Sequence, residues 1–190
     1  MRQWATGLII ALALTGCGGE AWQTKAIDGL LPPLQLELST AGAAPLTEAD
    51  LRGQAVLLLF GFTSCPDICP TSLARLAAVR DGLPEPLAER VRIVFVSVDP
   101  ARDTPQRLQA YAEYFGTGIL GVTGSPEQLR TLARRYRTTF SHGEPDAHGQ
   151  YPVSHSAGVY VFDPQGRARL LFRLSDSTEA MRADLQRLLD

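Results

Sequence analysis

The sequence predicts an α/β sandwich, a central mixed sheet with helices on both of its faces. Three observations carry this prediction. Two near-continuous apolar runs, Ala55 to Phe62 and Val91 to Val98, read as strands buried on both faces. Segments with helix-start signals alternate with them. The turn tetrapeptide Asp163-Pro164-Gln165-Gly166 then joins two further strand-like runs ahead of a last helical segment. The 190-residue chain is 45% hydrophobic and 20% charged, with a formal net charge of −2. That suits one domain with a full core and gives no electrostatic case for nucleic acid.

In chain order, Leu34 to Leu38 alternates apolar and polar residues, the period-2 signature of a strand. Ala41 to Gly53 reads as a loop. The run Ala55 to Phe62 hands over to a helix across Pro70 to Gly82, with Leu73, Leu76, Ala77 and Val79 facing inward. Proline disfavours helical dihedrals in the residue before it, so Cys69 is the expected N-cap and Pro70 the first helical residue. After Val91 to Val98, Thr104-Pro105 supplies a cap and a first-position proline for a helix reaching Phe115. Ile119 to Val122 is a short strand. Ser125-Pro126-Glu127-Gln128 has the form of a capping box and opens a helix to about Arg137. Its Arg130, Arg134, Arg135 and Arg137 read as a solvated face or as a docking patch for an acidic partner. Thr139 to Val153, rich in Gly, Pro and His, is a longer loop. Gly158 to Phe162 and Arg167 to Phe172 make a hairpin, and Asp176 to Glu179 starts a terminal helix to Leu189.

The N-terminus stands apart. Arg2 is a minimal positive region, Leu8 to Leu14 a short apolar one, and Thr15-Gly16 are small. This is a secretory signal pattern, too short for a spanning helix at the usual ~20 residues. Leu14-Thr15-Gly16-Cys17 resembles the bacterial lipobox, in which the cysteine is lipidated and becomes the mature N-terminus. The expected organisation is a lipoprotein signal peptide over 1–16, a lipidated N-terminus and polar tether over 17–33, and a domain over 34–190. Such a product is anchored to a bacterial membrane by lipid at Cys17, on the extracytoplasmic, periplasm-facing side, where disulfides are permitted.

Cys65-Pro66-Asp67-Ile68-Cys69 lies between an apolar run and a helix. At such a handover backbone N–H groups and the helix dipole favour anions, and a thiol there tends to a lowered pKa. Metal binding and thiol–disulfide chemistry both use the thiolate. A structural staple explains the pair poorly, since closing a loop of about five residues gains only ~2 kcal/mol, against ~4.7 for about 100. Of the three histidines, His142 and His148 sit in the polar loop and read as solvated surface residues. His155 lies in Val153-Ser154-His155-Ser156-Ala157-Gly158, at the entrance to the late hairpin.

The combination resembles the Sco/SenC family of copper-binding, thioredoxin-like proteins, over roughly Leu34 to Leu189. Three blocks in order carry the resemblance. The first is Phe60-Gly61-Phe62-Thr63-Ser64-Cys65-Pro66-Asp67-Ile68-Cys69-Pro70. The second is Val96-Ser97-Val98-Asp99-Pro100-Ala101-Arg102-Asp103-Thr104-Pro105, and the third Ser154-His155-Ser156-Ala157 followed by Val159 to Gly166. The resemblance implies a thioredoxin-like form of the sandwich and one copper ion bound by Cys65, Cys69 and His155. Soft thiolates with an imidazole suit Cu(I), with Cu(II) the second state, whereas a closed zinc site wants a fourth ligand. Asp99 and Asp103 match acidic positions of the family, and read equally as a strand-end turn and a cap residue.

Two departures from the family pattern stand out. Ser154 replaces an acidic residue found before the histidine in many members, and a lipobox replaces the transmembrane helix of many relatives. The function implied is a metallochaperone that delivers copper to a respiratory oxidase, the family's recipient being the dinuclear copper centre of cytochrome c oxidase. Other copper chaperones and thioredoxin-like reductants are the further partners implied. The alternative is a membrane-anchored thiol–disulfide oxidoreductase with Cys65 and Cys69 as its catalytic dithiol. Three intervening residues instead of the usual two, together with His155, favour metal. A peroxidase is disfavoured because Cys65 lacks the proline-led Thr-x-x-Cys pattern.

Overall fold

The computed structural model describes residues 21–190. The signal and lipobox expectations, Cys17 included, lie outside the described residues. In chain order the elements are β1 (Lys25–Ala26), β2 (Glu37–Leu38), β3 (Leu46–Thr47), a 3-10 turn (Glu48–Leu51), β4 (Ala55–Gly61) and α1 (Ile68–Asp81). Then follow a single turn α2 (Glu85–Ala88), β5 (Val91–Ser97), α3 (Pro105–Tyr114), β6 (Ile119–Val122) and α4 (Pro126–Arg135). The chain closes with β7 (Phe140–His142), β8 (Val153–His155), β9 (Val159–Phe162), β10 (Ala168–Phe172) and α5 (Thr178–Leu189).

The main sheet has the order β1-β10-β9-β4-β5-β6. Strands β4, β5 and β6 are parallel, while β9, β10 and β1 add antiparallel to β4's other side. This is the mixed sheet that the sequence predicts. Side chains alternate between its faces, as the pleat requires. Leu57, Leu59, Ile93 and Phe95 meet Leu73 and Leu76 of α1, Leu108 of α3 and Leu185 of α5. Leu58, Phe60, Val94 and Val96 meet Leu129 and Leu132 of α4 together with Leu34, Leu36 and Leu38. Each fully buried side chain of this size contributes ~1.5–3 kcal/mol, so both faces need their covering.

Local signals set the helix starts. Thr104 Oγ1 accepts from the Arg107 N–H at 3.2 Å. Ser125 Oγ accepts from Gln128 N–H at 3.2 Å while Gln128 Oε1 accepts from Ser125 N–H at 2.8 Å, completing the capping box. The start of α1 differs from expectation: Asp67 is the N-cap, Cys69 the second helical residue and Pro70 the third. The first N–H groups of any helix lack intrahelical acceptors, so Pro70 forfeits no bond in that turn.

Two loops of the sequence reading carry structure. The stretch read as a tether is packed from Trp22 onward, with Thr24 and Ile27 buried and Lys25–Ala26 paired to β10. Asp184 of α5 fixes it, accepting from the N–H groups of Gln23 and Thr24 at 3.0 and 2.7 Å and from the Thr24 hydroxyl at 2.7 Å. The loop expected over Thr139 to Val153 instead begins and ends in β7 and β8, a hairpin that forms its own two-stranded sheet. Arg130, Arg134 and Arg137 are exposed. Arg135 is not free, since it donates to the Pro33 carbonyl at 3.0 Å.

Candidate metal centre

The C-terminal ends of parallel strands are where open α/β sheets place ligands, and β4 ends at Gly61 beside the end of β5. The chain then turns, with Cys65 N–H bonded to Phe62 O at 3.3 Å, and enters α1. The turn is held from outside by Asp103, which is almost completely buried. Its carboxylate accepts from the Thr63 N–H at 2.8 Å, the Thr63 hydroxyl at 2.5 Å and the Ser97 hydroxyl at 2.6 Å. Arg107 donates to Thr63 Oγ1 at 2.8 Å and lies 3.8 Å from the same carboxylate. Hydrogen bonds to charged groups contribute ~1.5–3 kcal/mol each, so Asp103 is a strong anchor for the segment leading to Cys65.

Cys69 is 2% exposed and lies against the strand end, where Gly61 leaves room for its sulfur. Burial pushes its thiol up to about 12, opposite to the lowering expected at a helix N-terminus. The helix-terminal amide serves the other cysteine: Cys69 N–H points at Cys65 Sγ, 3.5 Å away. Both cysteines are free thiols, Cys65 half-buried and Cys69 buried.

His155 closes the site at the end of β8, where it pairs with Phe140. Its Nδ1 donates to the Ser156 carbonyl at 3.0 Å, since a carbonyl can only accept. In the neutral ring this leaves the Nε2 lone pair free, and Nε2 lies 3.4 Å from Cys69 Sγ. The ring stands edge-on to Phe62, centroids 5.9 Å apart. The ligand atoms of Cys65, Cys69 and His155 all lie within 4.8 Å of one another, the one such metal-holding group among the described residues. The donor set fits a soft, low-coordinate ion: two sulfurs and one imidazole whose other nitrogen is already bonded, the usual arrangement for a metal-binding histidine.

The remaining candidates fall outside this cluster. Asp99 is buried, paired with Arg102 and accepting from the Tyr151 hydroxyl at 2.6 Å. His142 is exposed but its Nε2 donates to the Val98 carbonyl at 3.0 Å, and His148 is exposed on the hairpin loop. Ser154 meets Ser141, their hydroxyls 2.7 Å apart. Sequence reasoning places Gly61, Phe62, Thr63 and Arg102 only within the family-like blocks, gives them no positioning role, and does not single out Tyr151. The Thr63–Asp103 anchor spans 40 residues of sequence, and no local pattern announces it.

Fold and site together define a thioredoxin-like domain with a two-cysteine, one-histidine centre. The chain belongs to the SCO1/SenC family, whose family model matches residues 35–190. The SCO2 homolog of Bos taurus mitochondria is 41% identical over 150 residues, which cover 75% of this chain and 56% of that one. The chain thus spans about half the length of this mitochondrial relative. The solution structure of apo Sco1 from Thermus thermophilus superposes with a TM-score of 0.80 at 35% identity, covering 90% of this chain and 99% of that one. The structure of ScoI from Bradyrhizobium japonicum, solved with copper bound, gives a TM-score of 0.74 at 33% identity, covering 83% and 99% respectively.

Proposed function

We propose that this protein is a copper metallochaperone that carries one copper ion on Cys65, Cys69 and His155 for assembly of the dinuclear copper centre of cytochrome c oxidase. The observation that carries the reading is the convergence of two unbridged thiols and a free imidazole lone pair within 4.8 Å. The copper-bound Bradyrhizobium relative supports copper as the metal, and thiolate–imidazole donors favour Cu(I). Copper is cargo here. Cys65, the more exposed thiol, meets it first, and Cys69 must give up its proton to join, so uptake releases protons and strengthens as pH rises. Three ligands leave one side of a Cu(I) ion open to a recipient subunit. The lipobox resemblance supports an anchor at Cys17 on the periplasm-facing side of a bacterial membrane.

A second reading, a thiol–disulfide oxidoreductase, draws on the asymmetry of the same pair. Cys65 is half-buried and can attack a partner disulfide, while Cys69 is sequestered behind it to resolve the mixed disulfide. The two roles are compatible, because only the dithiol binds copper and oxidation to the disulfide switches binding off.

The test is to reduce the full-length protein, load it with Cu(I) against a chromophoric competitor and count bound metal. Cys65→Ser and Cys69→Ser should abolish tight binding. His155→Ala should weaken Cu(I) binding and remove the thiolate charge-transfer absorption of the Cu(II) form, leaving the dithiol potential little changed. His142→Ala and His148→Ala should behave as wild type. Wild-type affinity in either serine variant overturns the site. Wild-type copper spectra in His155→Ala, with loss in a loop-histidine variant, moves the third ligand elsewhere.

A further inference from the structure

The β7–β8 hairpin delivers His155 to the cysteines, yet it shares no backbone ladder with the main sheet among the described residues. Its position therefore comes from side chains and from the three-residue link between β8 and β9. Away from the ligand end, Tyr151 hydrogen-bonds through its hydroxyl to Asp99 and His142 donates to Val98 O. Between hairpin and sheet lies Arg102. Its guanidinium carbon is 3.9 Å from the centroid of the Tyr151 ring and 5.8 Å from that of Phe62. Its Nε is paired with the buried Asp99, and its Nη1 donates to the Tyr151 carbonyl at 3.2 Å. Its Nη2 is buried with no protein acceptor. Phe62 in turn meets the His155 ring edge-on. A continuous stack thus runs Tyr151, Arg102, Phe62, His155, from the loop end of the hairpin back to the ligand.

We propose that Arg102 is a positioning residue for the metal-binding histidine: its planar guanidinium, stacked on Tyr151 and ranged beside Phe62, sets the hairpin so that Nε2 of His155 reaches the cysteine pair. The proposal rests on the copper reading for its consequence, though not for its geometry. Only a rigid planar cation can pair edge-on with Asp99 and present a face to the ring at once, so lysine is a poor substitute. The cysteines are placed by β4, α1 and Asp103, and the Arg102 side chain bonds none of these, donating to Asp99 and the Tyr151 carbonyl instead. Loss of Arg102 should therefore loosen the histidine and spare the dithiol. Cu(II), which two thiolates alone suit poorly, should suffer more than Cu(I).

The test uses the full-length chain and two readouts. In the metal-free reduced protein, amide hydrogen exchange is followed at residues 140–142 and 153–155, with core strands as reference. In the loaded protein, the Cu(II) charge-transfer spectrum and the rate of copper loss to a chelator are recorded. Arg102→Gln and Arg102→Lys should accelerate hairpin exchange about tenfold with the core unchanged, and speed Cu(II) loss about 10–100-fold, the range found when outer partners of metal ligands are removed. Tyr151→Phe, which keeps the ring and loses only the hydroxyl, should have a clearly smaller effect. Arg167→Gln, which breaks an arginine–aspartate pair with Asp163 away from the hairpin, should leave both readouts as in wild type. Unchanged hairpin exchange in Arg102→Gln overturns the proposal, as does acceleration spread equally over the core, or a lysine variant indistinguishable from wild type. Failure of the wild type to take up copper overturns the metallochaperone reading, while the exchange data still decide whether Arg102 positions the hairpin.

Discussion

Gly61→Ala would place a methyl group against the buried sulfur of Cys69. A Cβ at this position lies 2.5 Å from Cε2 and 3.0 Å from Cζ of Phe95, and 2.9 Å from Cys69 Sγ. Non-bonded carbons rest at about 3.5–4.0 Å, so Phe95 would have to retreat by about 1 Å. It has nowhere to go: it is fully buried and packs on Tyr111 with centroids 5.5 Å apart. Adding a methylene to such a core costs ~1–3 kcal/mol. In a domain of this size each kcal/mol is about 2–4 °C in Tm, so the metal-free protein should melt about 2–12 °C lower. The sulfur must move as well, which disturbs its 3.4 Å approach to His155 Nε2 and weakens Cu(I) binding. Circular dichroism melts and a Cu(I) competition titration measure the two effects. Adding Phe95→Leu should recover part of the melting temperature and leave the copper defect, because only the ring contact is relieved. A Gly61→Ala protein with wild-type melting and wild-type copper affinity would refute the close-approach argument outright.

Asp103→Asn keeps the shape of the anchor but turns an amide NH₂ toward donors, and should destabilise by about 1.5–3 kcal/mol in urea titrations with weaker copper binding. Lost copper binding at unchanged stability would instead make Asp103 a partner of the metal itself. Because burial raises the Cys69 thiol from 9.0 to about 12 in the fold, the unfolded chain ionises first as pH rises. The reduced, metal-free protein keeps the full contribution of the neutral thiol below about 9 and loses it progressively toward about 12, a slope that Cys69→Ala should flatten. Equal urea midpoints against pH for the two proteins would contradict that burial effect. Cys17→Ser should shift the full-length protein from the membrane fraction or block its processing, and unchanged recovery with membranes would count against lipidation there.

The parts of the fold that were legible in the sequence owe their form to local chemistry. Strands β4 and β5 are unbroken apolar runs, and α3 and α4 begin at Thr-Pro and Ser-Pro steps whose side chains cap them as written. The three residues that converge at the candidate site were legible because cysteines and histidines are rare here and their sequence blocks resemble a known family. Less legible was anything held together at long range. β1 is two residues long, recognisable as a strand only through its partner β10 and the carboxylate of Asp184. The strands of the hairpin β7–β8 are three residues each, half-buried to exposed, too short for alternation to reveal them. The start of α1 was misplaced by giving Pro70 the first position. Proline is tolerated throughout the first turn, and the helix starts at Ile68 after Asp67, whose side chain makes no capping bond and so leaves no capping signal. Packing of Cys69 into the core beside Gly61 is what raises its thiol pKa against the helix-terminus expectation.

The N-terminal arm has one further effect. Lys25–Ala26 covers the outer edge of β10. The same arm then crosses one face of the sheet through Leu34, Leu36 and Leu38 and reaches the opposite border, where Ser39 and Thr123 exchange hydrogen bonds at 2.6 and 3.1 Å just beyond β6. A single strap therefore occupies both borders of the sheet. Bare sheet borders recruit strands from other chains and seed aggregation. A fragment cut back to residue 35, where the family match begins, would lose the β10 guard and keep the one at Thr123. Such a fragment would keep Cys65, Cys69 and His155 and still offer an unguarded border to its neighbours, so it should aggregate more readily than the domain with its arm.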